Sequence, residues 1–528
     1  MKRVRFRGIS VSVFSIFLLL CALAPVLRGQ AVNATLSGKI TDASGASIAK
    51  ADVAISNTAT GFSRSAQSSD TGDYTIAGLP AGDYTVSVDF TGFGKQEKTI
   101  TLQVGESASL NFALTPGTLQ EKVEVSATAQ LQEPTRTAVS SVITPAQISD
   151  LPVNGREFID FALLSPGVTI GNTTSGSTDV IVEPVTKLSF AGQNIHFNFI
   201  AVDGADDIST ASGIQRGTPP QESVQEFRVI NTDYTTEFGR ATAGIVNIIT
   251  RSGTNTLHGS LYEYFRNDVL DAKSILSAPG FNVLRQNQFG AAVGGPIQKD
   301  KVFFFANYEA QRRAESPTYN SVVLNNIAAI NNVKTTVFGL PAENLGVLRT
   351  GNTDNGFARL DDILSSHNFL FVRYFINDDR LTNQSPLNNG FDLPSAFKNN
   401  YIRDQSLAGG LTTTVSSNWI NELRMQFARR SFDFPVVSTQ PHLEVANTFA
   451  VGVNRGNPDD YLEKRFELVD NVTHNFSNHT LSFGGNYDWV STYESFPLFY
   501  PFEADFSNLP AFLGTDGAAG CPVDISCP

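Results

Sequence analysis

Few side chains in this chain have the types and spacing that catalysis requires. The six histidines are scattered along the chain. His442 and Glu444 are close in sequence, but they lie in a long hydrophilic stretch where contact with solvent is the simpler interpretation. A glycine-rich phosphate loop between a strand and a helix is also missing. We therefore predict a protein that is not an enzyme and needs no cofactor or resident metal.

Two cysteines, Cys521 and Cys527, lie close together near the end of the sequence. In an exported chain such a pair can form a small loop disulfide, and two free thiols are the alternative that the sequence leaves open. A zinc site needs more ligands than two thiols supply. The pair therefore predicts a disulfide or two free thiols, but no metal site.

Residues 1–31 have the features of a secretion signal. Basic side chains are clustered between positions 2 and 7, an apolar stretch covers 9–23, and Gly29 and Ala31 suit cleavage. The predicted mature chain begins at about Val32 and leaves the cytoplasm.

The acidic balance of the chain excludes one large class of partners. A net charge of −13 and a pI of about 5.0 argue against nucleic acid, which needs clustered Lys and Arg. Although 41% of the residues are hydrophobic, no run after the N-terminal segment reaches the roughly 18 apolar residues of a spanning helix. Insertion into a membrane would then require strands, which cross a bilayer only as a closed barrel.

The part of the chain from about residue 257 onward alternates short polar turns with long hydrophilic loops. The short connections are 297–301, 365–368, 415–418 and 476–479, and the long ones are 267–285, 311–354, 378–403 and 431–464. A barrel in a bilayer has tight turns on one face and open loops on the other. The alternation therefore predicts an antiparallel transmembrane β-barrel over 256–528, surrounded by outer-membrane lipid.

Nine segments of this region have the composition and length of barrel strands. They are 257–266, 286–296, 302–311, 355–364, 369–377, 404–414, 419–430, 465–475 and 480–493. Each is close to the roughly ten residues that cross a bilayer at a tilt. Because single-chain bacterial barrels use even strand numbers, nine strands predict the first part of a longer barrel, whether the chain is a fragment or a truncated product.

The N-terminal region of the mature chain has many short strands separated by Gly, Pro and Asp turns. The predicted strands are 35–40, 51–57, one that follows 61–65, 74–77, 84–90, 99–104 and 107–113. Alternation such as that of Tyr84, Val86 and Val88 gives each strand one buried face, as in a β-sandwich.

The motifs of this sandwich resemble those of a known family. Gly-Lys-Ile-Thr-Asp at 38–42, Gly-Asp-Tyr at 72–74 and Leu-Pro-Ala-Gly-Asp-Tyr-Thr-Val at 79–86 are similar to the carboxypeptidase regulatory-like domain. The resemblance implies a transthyretin- or Ig-like β-sandwich over 32–115 that serves as a binding or spacer module.

A linker at 116–127 contains Pro116-Gly117 and then an isolated extended segment, 119–126. Such a segment can add itself to the sheet edge of another protein. The alternative is that it forms the first strand of the next domain. The chemistry of the residues favours neither.

The next unit, 128–255, mixes helical and extended patterns. We predict a short helical turn at 145–151, a helix at 155–164, a tight turn at Val202-Asp203-Gly204, a helix leading into a strand at 220–229, and a strand at 244–250. This pattern is typical of an α/β domain.

The motifs of the second unit resemble the plug domain of TonB-dependent outer-membrane receptors, in particular the Oar-like branch. The matching segments are 151–156, 202–204, 223–227 and 234–255, with Tyr-Thr-Thr-Glu-Phe-Gly-Arg at 234–240 as the most specific. The resemblance implies an outer-membrane location and a TonB-type energising protein in the periplasm. It makes the linker segment a candidate TonB box, with Leu119, Glu121, Val123 and Val125 as its residues.

Three arginines of the plug, Arg156, Arg240 and Arg251, stand out in an acidic chain. We predict that they bind the barrel through ion pairs, whereas contact with solvent is the alternative. The candidate partners in the barrel are Glu263, Asp361 and Glu422.

Two functions follow from these observations. The first is energised uptake of a small polar ligand, such as an oligosaccharide or a siderophore. The second is binding of carbohydrate or adhesion at the cell surface without transport. The sequence does not identify the ligand, because polar loops are common to both functions.

Overall fold

A computed structural model describes residues 33–117, 123–125, 138–171, 186–232 and 239–514, except for short gaps. The gaps are 211, 273–274, 277, 279–280, 386–390, 417, 447, 455–458, 477–478 and 496–502. The predicted signal peptide, Leu119, Glu121, Cys521 and Cys527 lie outside the described residues. Among the described residues, no helix is long and apolar enough to cross a membrane.

The N-terminal domain is the predicted sandwich, built from eight strands. They are β1 Ala34–Asp42, β2 Asp52–Asn57, β3 Ser63–Gln67, β4 Asp73–Leu79, β5 Gly82–Asp89, β6 Gln96–Leu102, β7 Ser107–Ser109 and β8 Phe112–Leu114. One layer has the order β4–β1–β7, with β8 also paired to β1, and the other has the order β3–β2–β5–β6. The apolar residues of alternating positions fill the space between the layers.

The predicted strand 107–113 is two strands, β7 and β8, which both pair in parallel with β1. Between them, the side-chain oxygen of Asn111 accepts the backbone N–H of Lys39 at 2.8 Å. A side-chain oxygen therefore takes the place of a backbone carbonyl in the hydrogen-bond ladder of β1, at the point between β7 and β8. Gly38 allows this close approach, since a Cβ atom there would lie 1.8 Å from the carbonyl oxygen of Leu110.

The linker contains strand β9, Val123–Val125, which joins the sandwich rather than the next domain. It pairs in parallel with β6, and the register places Gln96, Glu97 and Lys98 beside residues 123, 124 and 125. The alternative that this segment is the first strand of the plug is therefore wrong. Strand β6 precedes β9 in sequence, and its edge lies next to β9 in space.

The second domain is a five-stranded sheet with short helical turns. Its elements are β10 Val139–Ile143, α1 Pro145–Asp150, β11 Val168–Ile170, β12 Leu188–Phe190, β13 Phe199–Val202, β14 Ala205–Asp206, β15 Val224–Thr232 and β16 Ile245–Thr250. The sheet has the order β10–β15–β16–β13–β14, and β11 pairs with β12 in a separate two-stranded sheet. Thr144 and Gln147 form a capping box that begins α1.

The helix predicted at 155–164 is instead a pair of 3-10 helices, Asn154–Arg156 and Phe158–Leu164. Gly155 has a φ of 70° and Arg156 a φ of 58°, so the backbone leaves the helical conformation before the second helix begins. The apolar spacing still buries Phe158, Phe161 and Ala162. The predicted tight turn after β13 is present, with positive φ at Asp203 and Gly204.

The third region is an antiparallel sheet with the nine predicted strands. They are β17 His258–Asn267, β18 Leu284–Gln298, β19 Val302–Glu315, β20 Arg349–Ser365, β21 Asn368–Gln384, β22 Lys398–Ser416, β23 Trp419–Phe434, β26 Asp459–Phe476 and β27 His479–Ser495. All but β17 are longer than predicted, mainly toward the long connections. Their polar ends continue the backbone ladder beyond the apolar band, so composition alone made these residues look like loops.

Parts of the long connections pack together into a second core, here called the cap. It contains α2 Ser321–Thr336, β24 His442–Val445, β25 Phe449–Val451, β28 Glu503–Phe506 and α3 Leu509–Leu513. Its buried side chains include Tyr319, Phe397, Phe449, Phe506 and Phe512. The prediction of open loops was therefore wrong for these stretches.

His442 is buried in the cap, and its Nδ1 lies 2.7 Å from the carbonyl oxygen of Val453. The expectation that His442 contacts solvent was wrong, because β24 packs between β25 and β28.

Candidate functional site

The nine-stranded sheet has a polar inner face and an apolar outer face. On β23, Glu422, Arg424 and Gln426 are buried, whereas Met425 and Phe427 are exposed. This alternation follows from the two-residue period of a strand and is typical of a barrel in a membrane. The plug sheet lies against the polar face, so the contacts between plug and sheet are mainly charged.

Asp203, at the turn after β13, joins the plug to two barrel strands. Its Oδ2 lies 2.7 Å from Nε of Arg373 on β21, and its Oδ1 lies 3.2 Å from Nη1 of Arg359 on β20. Oδ1 also accepts the backbone N–H of Thr250 at 2.9 Å. Arg359 binds Asp361 in addition, at 2.8 Å. One turn carboxylate thus holds two buried guanidinium groups.

Asp206 forms a second junction on the next plug strand, β14. Its carboxylate pairs with Arg465 of the barrel and with Arg240 of the plug. Both arginines also reach Asp488 of β27, at 2.9 and 3.3 Å. The backbone N–H of Asp206 donates to Glu467 at 2.9 Å, so side chain and backbone are both held by the barrel.

Arg156 forms a third junction on the opposite side of the plug. It donates to Glu309 of β19 at 2.8 Å and to Glu222 of the plug at 2.9 Å. Its guanidinium carbon lies 4.5 Å from the ring centre of Tyr262 and 5.0 Å from that of Tyr264. Ion pairing and cation–π contact therefore act on the same side chain.

The structure places the other predicted contact residues differently. Arg251 lies 3.8 Å from Glu222 within the plug, and it donates to the carbonyl oxygen of Val224 at 3.1 Å. Glu263 is exposed, because the strand alternation of β17 turns its neighbour Tyr262 toward Glu309. Glu263 is therefore wrong as a partner of a plug arginine.

Two further carboxylates have partners other than the predicted arginines. Glu422 accepts from Asn33 of the sandwich and lies 3.7 Å from Arg424 of its own strand. Asp361 accepts from Ser252 of the plug at 2.7 Å. Glu422 lies near a short turn, at the end of the sheet that the sandwich covers, and this explains why it meets the sandwich.

Sequence reasoning missed Asp203 and Asp206 as contacts, and it missed Arg359, Arg373 and Arg465 as their partners. The sequence placed Asp203 in a tight turn and assigned it no contact with the barrel. An arginine within an otherwise apolar strand, as at position 373, was the available signal, since such a side chain must face a polar lumen.

The sandwich docks against the plug at the end of the sheet that carries the short turns. The backbone N–H of Val104 donates to Oε1 of Glu226 at 2.5 Å, and Arg228 donates to the carbonyl oxygen of Gly105 at 3.1 Å. Burial raises the pKa of the Glu226 carboxyl to about 7. The rings of Phe62 and Phe369 meet edge to face with centres 5.9 Å apart.

A cavity lies on each side of the plug. The outer cavity, of about 240 Å³, is near the long connections and is lined by Arg156, Glu157 and Gln221 of the plug and by Arg313 and Asp379 of the sheet. The inner cavity, of about 350 Å³, lies between the sandwich and the short-turn end of the sheet. The plug therefore contributes lining residues to two cavities, one toward the long connections and one toward the sandwich.

Comparisons with known proteins agree with this architecture. The model of the outer membrane beta barrel domain matches residues 249–336 and 324–515, which is half of the chain, and the model of the carboxypeptidase regulatory-like domain matches 35–115. The TonB-dependent transporter Oar of Myxococcus xanthus is 31% identical over 251 residues, which cover 45% of this chain and 23% of that protein.

Two further proteins are similar to this chain, one over a shorter match and one at a lower sequence identity. The probable TonB-dependent siderophore receptor PirA of Acinetobacter baumannii is 27% identical over 184 residues, covering 32% of this chain and 22% of its own. The outer membrane transporter YddB of Escherichia coli has a TM-score of 0.50 at 12% identity, covering 70% of this chain and 50% of that one. The chain thus spans about a quarter of the length of the curated relatives it matches.

The family match, the sandwich before the plug and the plug held inside the sheet agree with one another. The chain is an outer-membrane protein that belongs to the outer membrane beta barrel family, and it is similar to the TonB-dependent transporter Oar.

Proposed function

We propose that the protein acts as a TonB-dependent receptor that takes up a small polar ligand through the outer membrane. The observation that carries this proposal is a separately folded plug held inside the nine-stranded sheet by charged contacts. Asp203, Asp206 and Arg156 supply the three junctions.

Charged contacts suit a plug that has to shift. A hydrogen-bonded ion pair that separates can exchange its partner for water, whereas an apolar interface would expose surface to water at a cost proportional to area. The plug core itself is apolar, with Phe227, Val229 and Ile248 fully buried. The plug can therefore move as a unit while its own sheet stays intact.

The outer cavity is the proposed ligand site. Its lining is polar, and it lies toward the long connections, which are extracellular in barrels of this kind. Burial, together with the charge of nearby carboxylates, raises the pKa of the Glu157 carboxyl in this cavity to about 8. A polar ligand with hydrogen-bonding groups suits this lining. Siderophores and oligosaccharides are the candidate classes, and the relative PirA is described as a siderophore receptor.

The proposed partner is a TonB-type protein that pulls on the box segment from the periplasm. Val123 and Val125 belong to the described strand β9, which is extended as a TonB box must be. No contact or cavity of the described residues favours the alternative function, adhesion without transport.

Substitution of Val123 by Pro tests the box and the uptake together. Proline removes the backbone N–H that strand pairing needs, so we expect it to abolish uptake of labelled ferric siderophores or oligosaccharides. Binding of the same compounds to cells should stay unchanged. Val123→Ala is the matched control, because it keeps the N–H and should retain uptake.

Unchanged uptake in Val123→Pro would place the box elsewhere. Uptake that continues in cells without a proton-motive force would contradict an energised mechanism altogether.

A further inference from the structure

The charged side chains of the outer cavity are unequally paired. They are three arginines and four carboxylates, namely Arg156, Arg313, Arg349, Glu157, Glu309, Glu315 and Asp379. Arg156 binds Glu309 at 2.8 Å. Arg313 binds Glu315 at 2.5 Å, and Arg349 lies 3.9 Å from the same carboxylate. Each arginine of the cavity therefore already has an anionic partner within the protein.

The other two carboxylates, Glu157 and Asp379, have no ion pair among the described residues. The charged groups that act most strongly on Glu157 are Asp379 of β21, Asp160 of its own helix and Glu309 of β19, which are all carboxylates. Burial and these negative charges raise the pKa of Glu157 to about 8. A positive charge is thus missing between this part of the plug and β21.

Two amide oxygens of the cavity wall also lack a partner. Gln221 and Asn377 are only 5% and 8% exposed, and within the described part of the chain no donor reaches the side-chain oxygen of either. The amide nitrogen of Gln221 donates to Ile148 at 2.7 Å, and that of Asn377 donates to Thr218 at 2.9 Å. These bonds fix which end of each amide is the oxygen. Because a buried acceptor without a donor is costly, the wall favours a ligand that brings donors.

The turn that carries Glu157 is held in place by two barrel strands. Gln288 of β18 donates to the carbonyl oxygen of Gly155 at 3.0 Å, and Arg156 binds Glu309 of β19. Arg156 has a φ of 58°, a conformation that a residue other than glycine adopts only when its surroundings impose it. Glu157 therefore lines the cavity from a fixed backbone position, as a binding residue requires.

We propose that the outer cavity binds the protonated amine of a polar ligand, with Glu157 and Asp379 as its charged contacts. This inference rests on the proposed function and narrows the ligand of the same site. Among oligosaccharides the class is amino sugars, and polyamines are a second source of the same group.

An ammonium group fits both gaps in the lining, since it carries one positive charge and three N–H donors. A positive charge beside Glu157 lowers the pKa of its carboxyl, so its proton leaves to solvent on binding. Ferric catecholates are anionic, and the unpaired carboxylates would repel them.

Two trimers with the same sugar skeleton test the amine. The glucosamine trimer carries ammonium groups at mildly acidic pH, whereas the N-acetylglucosamine trimer carries neutral amides at the same positions. We expect the full-length protein in detergent to bind the first at least tenfold more tightly than the second, measured by isothermal titration calorimetry. Spermidine separates the two sources, because equal binding of spermidine would assign the site to polyamines and weaker binding would assign it to amino sugars.

Glu157→Gln and Asp379→Asn each remove one charge with little change of shape. We expect each variant to bind the glucosamine trimer about tenfold more weakly, and to change the affinity for the N-acetylglucosamine trimer less than twofold. Asp378→Asn is the matched control, since it removes the same charge one position away on β21. Its carboxylate pairs with Arg403 and lies outside the cavity lining. An unchanged thermal midpoint shows that each variant is folded.

Failure to bind the glucosamine trimer, equal affinity for the two trimers, or an equal loss in Asp378→Asn and Asp379→Asn would overturn the amine site. A ferric catecholate that binds more tightly than the glucosamine trimer would overturn it as well, while leaving the proposed uptake standing. Binding of the trimer that depends on Glu157, without energised uptake by cells, would leave the site standing and contradict the proposed function.

Discussion

At the scale of single residues, the plug is held by carboxylates that each serve more than one partner. Asp203 pairs with Arg373, whose side chain is fully buried, and with Arg359. The charge of a buried guanidinium is costly unless it is paired and hydrogen-bonded. The turn carboxylate therefore stabilises the plug more than a surface ion pair of the same length would.

Asp203→Asn removes the charge that two buried arginines share. We expect the plug to lose about 3–5 kcal/mol of stability, which is the usual cost of leaving a buried charge unpaired. The loss should lie toward the lower end of this range, because Arg359 keeps its ion pair with Asp361. Urea unfolding of the detergent-solubilised protein, followed by hydrogen exchange of plug amides, measures the change.

Asp378→Asn is the control, because its pair with Arg403 is exposed and should cost about 1 kcal/mol or less. Equal losses in the two variants would mean that burial does not strengthen the plug junction.

We expect the Glu226 carboxyl to make docking of the sandwich pH-dependent. Its pKa is raised to about 7 by burial, from an ordinary value of 4.5, so the folded state binds the proton more readily than the unfolded state. Stability from this group is then fully present below pH 4.5 and is lost as pH rises toward 7. We expect Glu226→Gln to flatten the pH dependence of the thermal midpoint in this window. A wild-type midpoint that rises between pH 4.5 and 7, with the rise absent in the variant, would contradict the sign.

At the scale of elements, the cap shows that long connections of a barrel can fold on their own core. Phe512 of α3 is completely buried, and its ring lies 5.2 Å from those of Phe449 and Phe506. Asn320 begins α2 by accepting the backbone N–H of Val323 at 2.9 Å. The cap therefore combines local helix signals with contacts between distant connections.

Phe512→Ala leaves a cavity in the cap and should cost about 3–5 kcal/mol of its stability. Lys334 is buried on α2, so trypsin should cleave after it much faster in the variant than in the parent protein. Val322→Ala, at an exposed position of the same helix, is the control and should leave the rate unchanged. Faster exchange of plug amides in Phe512→Ala would show that the cap is not an independent unit.

At the scale of the whole molecule, the sandwich lies at the end of the sheet with the short turns, and the cap lies at the end with the long connections. Phe369 of β21 packs against the sandwich core, and the backbone N–H of Asn255 donates to the carbonyl oxygen of Ala59 at 2.9 Å. These contacts place the sandwich, plug and sheet around the inner cavity.

Phe369→Ala should loosen the sandwich without weakening its own core, because Phe369 belongs to the barrel sheet. We expect hydrogen exchange at the Val104 amide to rise several-fold, since that N–H bonds Glu226 only while the sandwich is docked. Leu370→Ala, on the opposite face of the same strand, is the control. An equal rise in both variants would indicate general loosening of β21 rather than undocking.

Local patterns in the sequence were sufficient to predict the nine barrel strands, the sandwich and the turn at Asp203. Two-residue alternation and turn chemistry act between near neighbours in the chain. They could not find the cap, the pairing of β9 with β6, or the arginines that Asp203 and Asp206 hold. Each of these joins residues that are far apart in the chain. Which charge meets which, and which sheet edge is free, depends on how the domains pack, and only the tertiary structure decides that.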